Sequence, residues 1–262
     1  MAGRTLGNRS RTIATLAVGV VVGGVVAGGG YALADTKAPR TDRQITNMTN
    51  EVSDIKAYYG DTVDAQGEHW ASPTSNYANQ VAGIEKDAKK YLDNRARHDK
   101  GKKKKAIVLD VDDTSLSTYN YELETTFVYN PAGNAQYIAT KTMPAVFGMN
   151  TLAQWAEQQG YTVFFVTGRP EAQRSYTAAN LAAVGFPTAD ASHLYLKNKE
   201  NPPAYLPCGA TCTTIEYKSG TRAHIESLGY EIVANFGDQY SDLSGGHAGK
   251  TYKIPNPMYY LP

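Results

Sequence analysis

A short apolar run that ends in acidic residues constrains the fold more than any other feature of this chain. The run Ala106–Leu109 is followed by Asp110, Asp112 and Asp113, with Thr114 directly behind them. Apolar runs of this length that are rich in Val and Ile are typical of buried strands in a parallel sheet. In open sheets of this type, ligands bind outside the carboxyl ends of the strands. The acidic side chains are therefore predicted to lie in a site rather than in a core.

Asp110 and Asp112 are two residues apart, which places them on the same face of the predicted strand. Two carboxylates at one strand end are costly unless a cation or a proton compensates them. A hard divalent cation suits such oxygen ligands, and Mg²⁺ fits best where a phosphate completes its shell. The alternative is a solvated turn, which is the more common role of an isolated D-x-D sequence.

Two further apolar runs also end in polar residues. The first ends in Thr167 and Gly168, and the second leads to Asp238, four residues before Asp242, while Lys218 lies between the two runs. Taken singly, these segments could be a strand-end turn, a surface lysine and a loop. Taken in order, they resemble the four motifs of the haloacid dehalogenase superfamily, and most of all its secreted acid phosphatases of the class B, class C and plant vegetative-storage type.

The resemblance covers roughly residues 75–256 and implies an α/β fold, a doubly wound parallel sheet of the Rossmann-like kind with a small helical lid. An alternation of strand and helix patterns in the core supports the same fold class. Asn150 is expected to cap a helix that ends at Gly160. Pro170 suits the first turn of a helix that runs to about Val184. A further helix is expected over Gly220–Leu228.

The resemblance also implies roles for the motif residues. Asp110 would attack phosphorus and form an aspartyl-phosphate, and Asp112 would protonate the leaving alcohol and then activate water. Thr167, Gly168 and nearby backbone amides would hold phosphate oxygens, and Lys218 would place a positive charge on the phosphate and on Asp110. The reaction would be the hydrolysis of phosphomonoesters.

The same resemblance implies how Mg²⁺ would be bound. Asp238 would ligate the ion together with Asp110 and the backbone carbonyl of Asp112. Asp242 would contact the ion through water or orient Lys218. Asp113 is expected to fix the loop at the end of the strand.

Residues 115–149 are rich in Tyr and Phe and are predicted to form a small lid over the strand ends. Aromatic side chains there would suit a small-molecule phosphomonoester, including an aromatic ester or a nucleotide. The alternative is ordinary packing of these rings against helices at the amino-terminal end. Those helices are expected over Thr41–Tyr59 and Ser75–Arg97, with a polar, interrupted segment between them.

The first 34 residues carry three Arg and no acid, then a Gly-rich apolar run and Ala32-Leu33-Ala34. This pattern is typical of a signal peptide cleaved after Ala34, so we expect export and no stable membrane anchor; an uncleaved anchor is the alternative. Residues 35–74 would form a leader and helical extension, and 75–262 the phosphatase domain.

Export bears on the two cysteines, Cys208 and Cys212. A small disulfide is expected in an exported protein, and two free thiols are the alternative. Removing the three Arg of the signal peptide from 26 basic residues leaves 23 against 25 acidic ones, which argues against a general nucleic-acid partner. The sequence contains no feature that predicts an oligomeric state.

Three other functions remain compatible with parts of the pattern. Phosphotransfer to an acceptor alcohol would use the same intermediate as hydrolysis. A storage or surface-binding protein could keep the fold without turnover, although this chain retains Asp110, Asp112, Thr167, Lys218 and Asp238. A receiver-type signalling domain is disfavoured by the export signal and by the Asp112-Asp113-Thr114 continuation.

Overall fold

Seven strands are present in the computed structural model, which describes residues 45–98, 101 and 103–261. In chain order they are β1 (Thr62–Val63), β2 (His69–Trp70), β3 (Lys104–Leu109), β4 (Thr162–Pro170), β5 (Leu194–Lys197), β6 (Tyr230–Gly237) and β7 (Lys250–Lys253). The first two pair as an antiparallel hairpin. The other five form a parallel sheet in the order β5-β4-β3-β6-β7. The carboxyl ends of β3, β4 and β6 therefore meet at the centre of one edge.

Eight helices accompany the strands in the described part of the chain. They are α1 (Met48–Tyr59), α2 (Asn76–His98), α3 (Tyr119–Glu124), α4 (Pro131–Thr140), α5 (Met149–Gln158), α6 (Arg174–Ala183), α7 (Thr214–Ser227) and α8 (Tyr240–Leu243). The alternation of helices and parallel strands confirms the predicted fold class. Among the described residues, none of these helices combines the length and the apolar character needed to cross a membrane.

The central strand β3 is covered on both faces, which explains why its sequence is apolar throughout. Ile107 and Leu109 join the larger hydrophobic cluster, to which Leu152 of α5 also belongs. The alternate residue Val108 belongs to a second cluster with Ile225 of α7. Because successive side chains of a strand point to opposite faces, the two clusters lie on opposite sides of the sheet.

Two helix starts differ from the sequence-based expectation. Helix α5 begins after Gly148, whose positive φ of 74° suits glycine, and Asn150 lies inside the first turn. The Asn150 side chain donates instead to the carbonyl of Val184 at 2.8 Å. Pro170 does not start a helix, because its backbone stays extended and pairs with Lys197 of β5. A short 3₁₀ turn follows, and α6 begins at Arg174.

The prediction for α7 was wrong at its amino-terminal end, since the helix begins six residues before Gly220. Thr213 and Glu216 form a capping box that starts it. Gly220 lies within the helix at a close approach, because a Cβ there would come within 2.6 Å of the Leu206 side chain. Gly220 is therefore required for packing and does not mark a helix boundary. The earlier start brings Lys218 onto the helix.

Of the two amino-terminal helices, α2 was predicted closely, whereas the start of α1 was predicted at Thr41 and lies at Met48. Helix α2 matches its predicted range to within one residue at each end, while α1 begins at Met48 after its cap Asn47. Tyr59 at the end of α1 is fully buried and stacks on Tyr119 of α3, with ring centroids 4.5 Å apart. The residues from Thr46 onward form one compact unit.

Residues 115–149 contain α3 and α4, and their aromatic side chains have two kinds of surroundings. Tyr119 and Phe147 pack against tyrosines of the amino-terminal helices. Phe127 and Tyr129 instead line a cavity near the strand ends. Cys208 and Cys212 are joined in a disulfide, as predicted. The predicted signal peptide, residues 1–34, lies outside the described residues.

Candidate active site at the carboxyl ends of the strands

Three aspartates converge where β3 and β6 end. Asp110 directly follows β3, Asp238 directly follows β6, and Asp242 lies in α8 one turn later. One carboxylate oxygen from each lies within 4.8 Å of the others, and all three residues are buried. Asp110 is held to the neighbouring strand by its backbone N–H, which donates to the carbonyl of Phe236 at 3.0 Å. The sheet order therefore brings together acids that are far apart in sequence.

Gly237 explains how Asp242 comes so close to the strand end. A Cβ at this position would come within 2.4 Å of the Asp242 Cβ, so the close approach requires glycine. The buried Arg222 of α7 supports the same segment and donates to the carbonyl of Asp242 at 2.6 Å. The segment Gly237–Asp242 is thus a packing motif as well as a source of two acidic residues.

Lys218 provides the positive charge at the centre of the cluster. Its Nζ lies 2.5 Å from Oδ1 of Asp110 and 2.5 Å from Oδ1 of Asp242. The second oxygen of Asp242 accepts a hydrogen bond from the backbone N–H of Gln239 at 2.8 Å. Burial opposes the charge of Lys218, but the two carboxylates outweigh it and raise its pKa. Asp242 therefore has both oxygens engaged, and it orients Lys218.

The carboxylates outnumber the cation that they contact. Burial raises the pKa of Asp110 well above its usual range; Lys218 acts against this, and Asp242 and Asp238 add to it. Burial and the charge of Asp242 raise the pKa of Asp238 to about 7. Clustered, desolvated carboxylate oxygens of this kind fit a hard divalent cation, whose charge would compensate the excess. The described residues thus suit a metal of the Mg²⁺ type.

Asp112 has a different environment from this cluster. Its Oδ1 accepts a hydrogen bond from Nη2 of Arg169 at 2.6 Å, and its Oδ2 accepts one from Nε at 3.0 Å. Arg169 is buried, whereas the side chain of Asp112 keeps 30% of its surface exposed. Arg169 also donates to Thr177 of α6 at 3.1 Å. The forked ion pair fixes the Asp112 carboxylate beside, but outside, the group of three acids.

Sequence reasoning assigned no role to Arg169, although the residue directly follows Thr167 and Gly168. Its position in the sequence could have indicated a role. Arg169 lies at the end of β4, two residues after Thr167, and the neighbouring strand β3 is followed directly by Asp110. A basic residue at such a place has acidic neighbours across the sheet. Its bidentate geometry with Asp112 could not be read from the sequence, because it depends on a side-chain conformation.

The predicted phosphate-binding residues are placed differently from one another. Lys218 and Gly168 line one cavity together with Asp110. Gly168 is exposed, and a Cβ there would meet open space. Thr167 is fully buried, and its Oγ1 accepts a hydrogen bond from the backbone N–H of Arg169 at 3.1 Å. Thr167 therefore fixes the backbone in the carboxyl-terminal part of β4.

Asp113 fixes the loop after β3, as expected. It is fully buried and has a left-handed backbone, with φ of 50°. Its carboxylate accepts hydrogen bonds from the backbone N–H of Thr118 at 2.9 Å and from the hydroxyl of Tyr259 at 2.7 Å. Burial raises the pKa of Asp113 to about 7. The residue thus connects the strand end, the lid and the carboxyl-terminal segment.

A cavity of about 440 Å³ opens onto these groups. Its floor contains Asp110, Asp238 and Lys218, and its walls come from the lid and the carboxyl-terminal segment. The aromatic side chains that line it are Phe127, Tyr129, Tyr217, Tyr259 and Tyr260. A small molecule with an anionic end and an apolar or aromatic end fits this combination.

A parallel α/β sheet that places a buried lysine among carboxylates at its strand ends fits a phosphatase of the HAD-like fold. The family model described as HAD superfamily, subfamily IIIB (Acid phosphatase) matches residues 34–262. The chain belongs to this family of phosphomonoesterases, which act on small-molecule phosphate esters, and the resemblance seen in the motifs is confirmed.

Relatives and solved structures agree with this assignment. Acid phosphatase 1 of Solanum lycopersicum is 31% identical over 217 residues, which cover 81% of this chain and 80% of that protein. Vegetative storage protein 1 of Arabidopsis thaliana is 31% identical over 159 residues, covering 59% of this chain and 55% of that protein. The structure of a class C acid phosphatase from Bacillus anthracis with tungstate bound has a similar fold, with a TM-score of 0.62, 22% identity, and coverage of 81% of this chain and 86% of that one.

Proposed function

We propose that this acid phosphatase is exported, requires Mg²⁺ and works through an aspartyl-phosphate. The observation that carries the proposal is the contact of Lys218 with Asp110 at 2.5 Å, inside a cluster of buried carboxylates. A carboxylate nucleophile divides a difficult hydrolysis into two easier steps. In this proposal Asp110 attacks phosphorus in line with the departing alcohol.

Asp112 supplies the proton that the leaving alcohol needs. Its carboxylate is near the attacking residue in sequence and keeps access to solvent, whereas Asp110 is buried. A residue that has given its proton to the alcohol is ready to accept one from water, so Asp112 serves both steps. Arg169 positions this carboxylate by its forked contact.

Lys218 and the carboxyl-terminal residues of β4 bind the phosphate. The ammonium group of Lys218 stabilises the negative charge of the phosphoryl oxygens. It also opposes the burial that raises the pKa of Asp110, which favours the ionised form needed for attack. Gly168 lines the cavity wall, where its backbone N–H would be a further donor, and Thr167 fixes the adjoining backbone by accepting the N–H of Arg169. Asp242 orients the lysine through its own contact.

Asp110, Asp238 and the backbone carbonyl of Asp112 would hold Mg²⁺, with Asp242 behind them. When bound, the ion neutralises charge on phosphoryl oxygens and on the acidic cluster. The choice of Mg²⁺ rests on the oxygen-only donor set of this cluster among the described residues.

An assay with p-nitrophenyl phosphate and a panel of nucleotides, with and without Mg²⁺, tests the proposal. Asp110→Asn should abolish turnover while the circular dichroism spectrum and melting curve stay close to those of the wild type. Mass spectrometry after a rapid quench should detect a phosphate adduct on wild-type Asp110. Near-normal activity of Asp110→Asn, in preparations checked for deamidation, would contradict the mechanism.

Export is proposed on sequence grounds, and the two cysteines agree with it because their disulfide suits an oxidising compartment. Amino-terminal sequencing of the protein recovered outside the cell should begin at Asp35. Full-length protein retained in the membrane would contradict this part of the proposal.

A non-catalytic storage role is the second candidate function. The identity to vegetative storage protein 1 of Arabidopsis thaliana favours it. The assay above separates the two roles, because a storage protein would bind without turnover. Product analysis with an added acceptor alcohol separates hydrolysis from phosphotransfer.

A further inference from the structure

Glu122 is a buried acid that the proposed mechanism does not use. It lies in α3 of the lid, is only 8% exposed, and lines the cavity that holds Asp110 and Lys218. Within the described part of the chain, its carboxyl group has no hydrogen bond or ion pair, whereas Asp110, Asp238 and Asp242 all have partners. An acid in such a place lacks the compensation that buried charges normally have.

The cationic side chains that line this cavity all have other partners. Lys218 contacts Asp110 and Asp242. Arg169 is paired with Asp112. Lys197 donates to the carbonyl of Cys212 at 2.9 Å. Glu122 therefore has no cation of the cavity wall available to it, and the cost of its burial has no internal compensation. Burial, with a smaller contribution from the charge of Asp112, raises the pKa of Glu122 to about 7.

Aromatic rings share the cavity wall with Glu122. Phe127 lies three residues after the end of α3, and its N–H donates to the carbonyl of Glu122 at 2.8 Å. Phe127 has a left-handed backbone with φ of 60°, which is costly for a bulky residue. Tyr129 and Tyr260 line the same cavity and are largely exposed. Ring faces beside a carboxylate attract a cationic amino group, because both interact favourably with positive charge.

We propose that Glu122 is a specificity residue that binds a positively charged amino group on the leaving alcohol, so that amino-alcohol phosphomonoesters are preferred substrates. This inference rests on the proposed function of the cavity as the active site. The phosphate would lie at Lys218, and the ammonium group would lie between the Glu122 carboxylate and the aromatic wall. A hydroxyl group could also bond to Glu122, but it would gain little from the ring faces.

Two substrates of nearly equal size test the inference. O-Phosphoethanolamine carries an ammonium group where propyl phosphate carries a methyl group. The wild-type kcat/KM should favour O-phosphoethanolamine about ten- to hundredfold, the range expected for one hydrogen bond to a charged group. Glu122→Gln should remove most of this ratio. Glu124→Gln is the matched control, because Glu124 is exposed on the same helix and should keep the wild-type ratio.

The outcomes separate this inference from the proposed function. A wild-type enzyme that turns over both esters with a ratio near one, or a Glu122→Gln variant that slows both equally, would overturn the role of Glu122 alone. Calorimetry can compare the affinities of the two esters for Asp110→Asn without turnover. The role of Glu122 can therefore be tested even if the proposed chemistry is wrong. If Glu122→Gln does not fold, Glu122→Asp, which withdraws the charge by one methylene, should lower the ratio.

Discussion

At the scale of single residues, two buried cations hold the acids of the site in fixed positions through three ion pairs. Lys218 forms ion pairs with both Asp110 and Asp242, and Arg169 forms one with Asp112. Because the cations are different, the two neighbouring aspartates of the D-x-D motif have different surroundings. Different environments for two carboxylates are the usual basis for assigning different chemical roles.

Asp112→Asn should slow alkyl phosphates much more than p-nitrophenyl phosphate. Loss of general acid–base help costs on the order of 10²–10⁴ in rate with leaving groups that need a proton. p-Nitrophenolate leaves with little protonation, so the loss should be smaller. Steady-state kinetics on both esters measures the difference. An equal loss on both would mean that Asp112 does not act on the leaving group.

Arg169→Lys should produce a weaker version of the same pattern. Lysine cannot reproduce the fork that holds both oxygens of Asp112, so the carboxylate would lose part of its orientation. We expect kcat on alkyl phosphates to fall about tenfold, the value of one charge-assisted hydrogen bond, and kcat on p-nitrophenyl phosphate to fall less. Arg174→Lys, at a half-buried position paired with Glu171, is the matched control. A loss that is independent of the leaving group would contradict positioning through Asp112.

At the scale of elements, the close approach of α8 to the end of β6 determines where Asp242 lies. Gly237→Ala should push the Asp242 side chain away from the strand and loosen the contact with Lys218, because the new Cβ would overlap Asp242. We expect at least a tenfold loss of kcat/KM together with a lower melting temperature. Gly83→Ala is the control: it lies in α2 with open space around it, and it should raise stability by about 0.5–1 kcal/mol. Normal kinetics of Gly237→Ala would show that the approach is not required.

The same elements show how far the sequence predicts the structure. The strands that precede Asp110 and Asp238 were predicted, because buried parallel strands have continuous apolar sequences. The start of α7 was not predicted, because Gly220 resembles a helix boundary in the sequence. Glycine is needed there for close packing against Leu206, which is a tertiary contact that the sequence does not show. Glu122 received no role because a lid helix carries acidic residues on solvent-facing positions as well, and burial decides between them.

At the scale of the whole molecule, the stability of the metal-free protein should depend strongly on pH. Burial raises the pKa of Asp238, Asp113 and Glu122 to about 7 in the folded state, whereas the unfolded values are close to 3.8 for Asp and 4.5 for Glu. Between these limits the folded chain binds more protons than the unfolded chain, so its free energy of unfolding falls as the pH rises. The melting temperature after chelation should therefore be higher at pH 5 than at pH 8. A higher melting temperature at pH 8 would show that these three acids do not determine how stability depends on pH.

Mg²⁺ should reverse the part of this loss that comes from Asp238, because Asp238 belongs to the acidic cluster with Asp110 and Asp242. A ligand at about 100 times its Kd stabilises the folded state by about 2.7 kcal/mol, which raises the melting temperature of a chain of this size by roughly 5–10 °C. The increase should be larger at pH 8 than at pH 5, because protons compete with the cation for the acidic cluster. Asp238→Asn removes one carboxylate of the cluster, so it should melt higher than the wild type without metal and respond less to Mg²⁺. Differential scanning calorimetry in chelated and Mg²⁺-containing buffers measures both effects without any substrate. If Mg²⁺ does not change the melting temperature of the wild type at pH 8, the acidic cluster does not bind the metal.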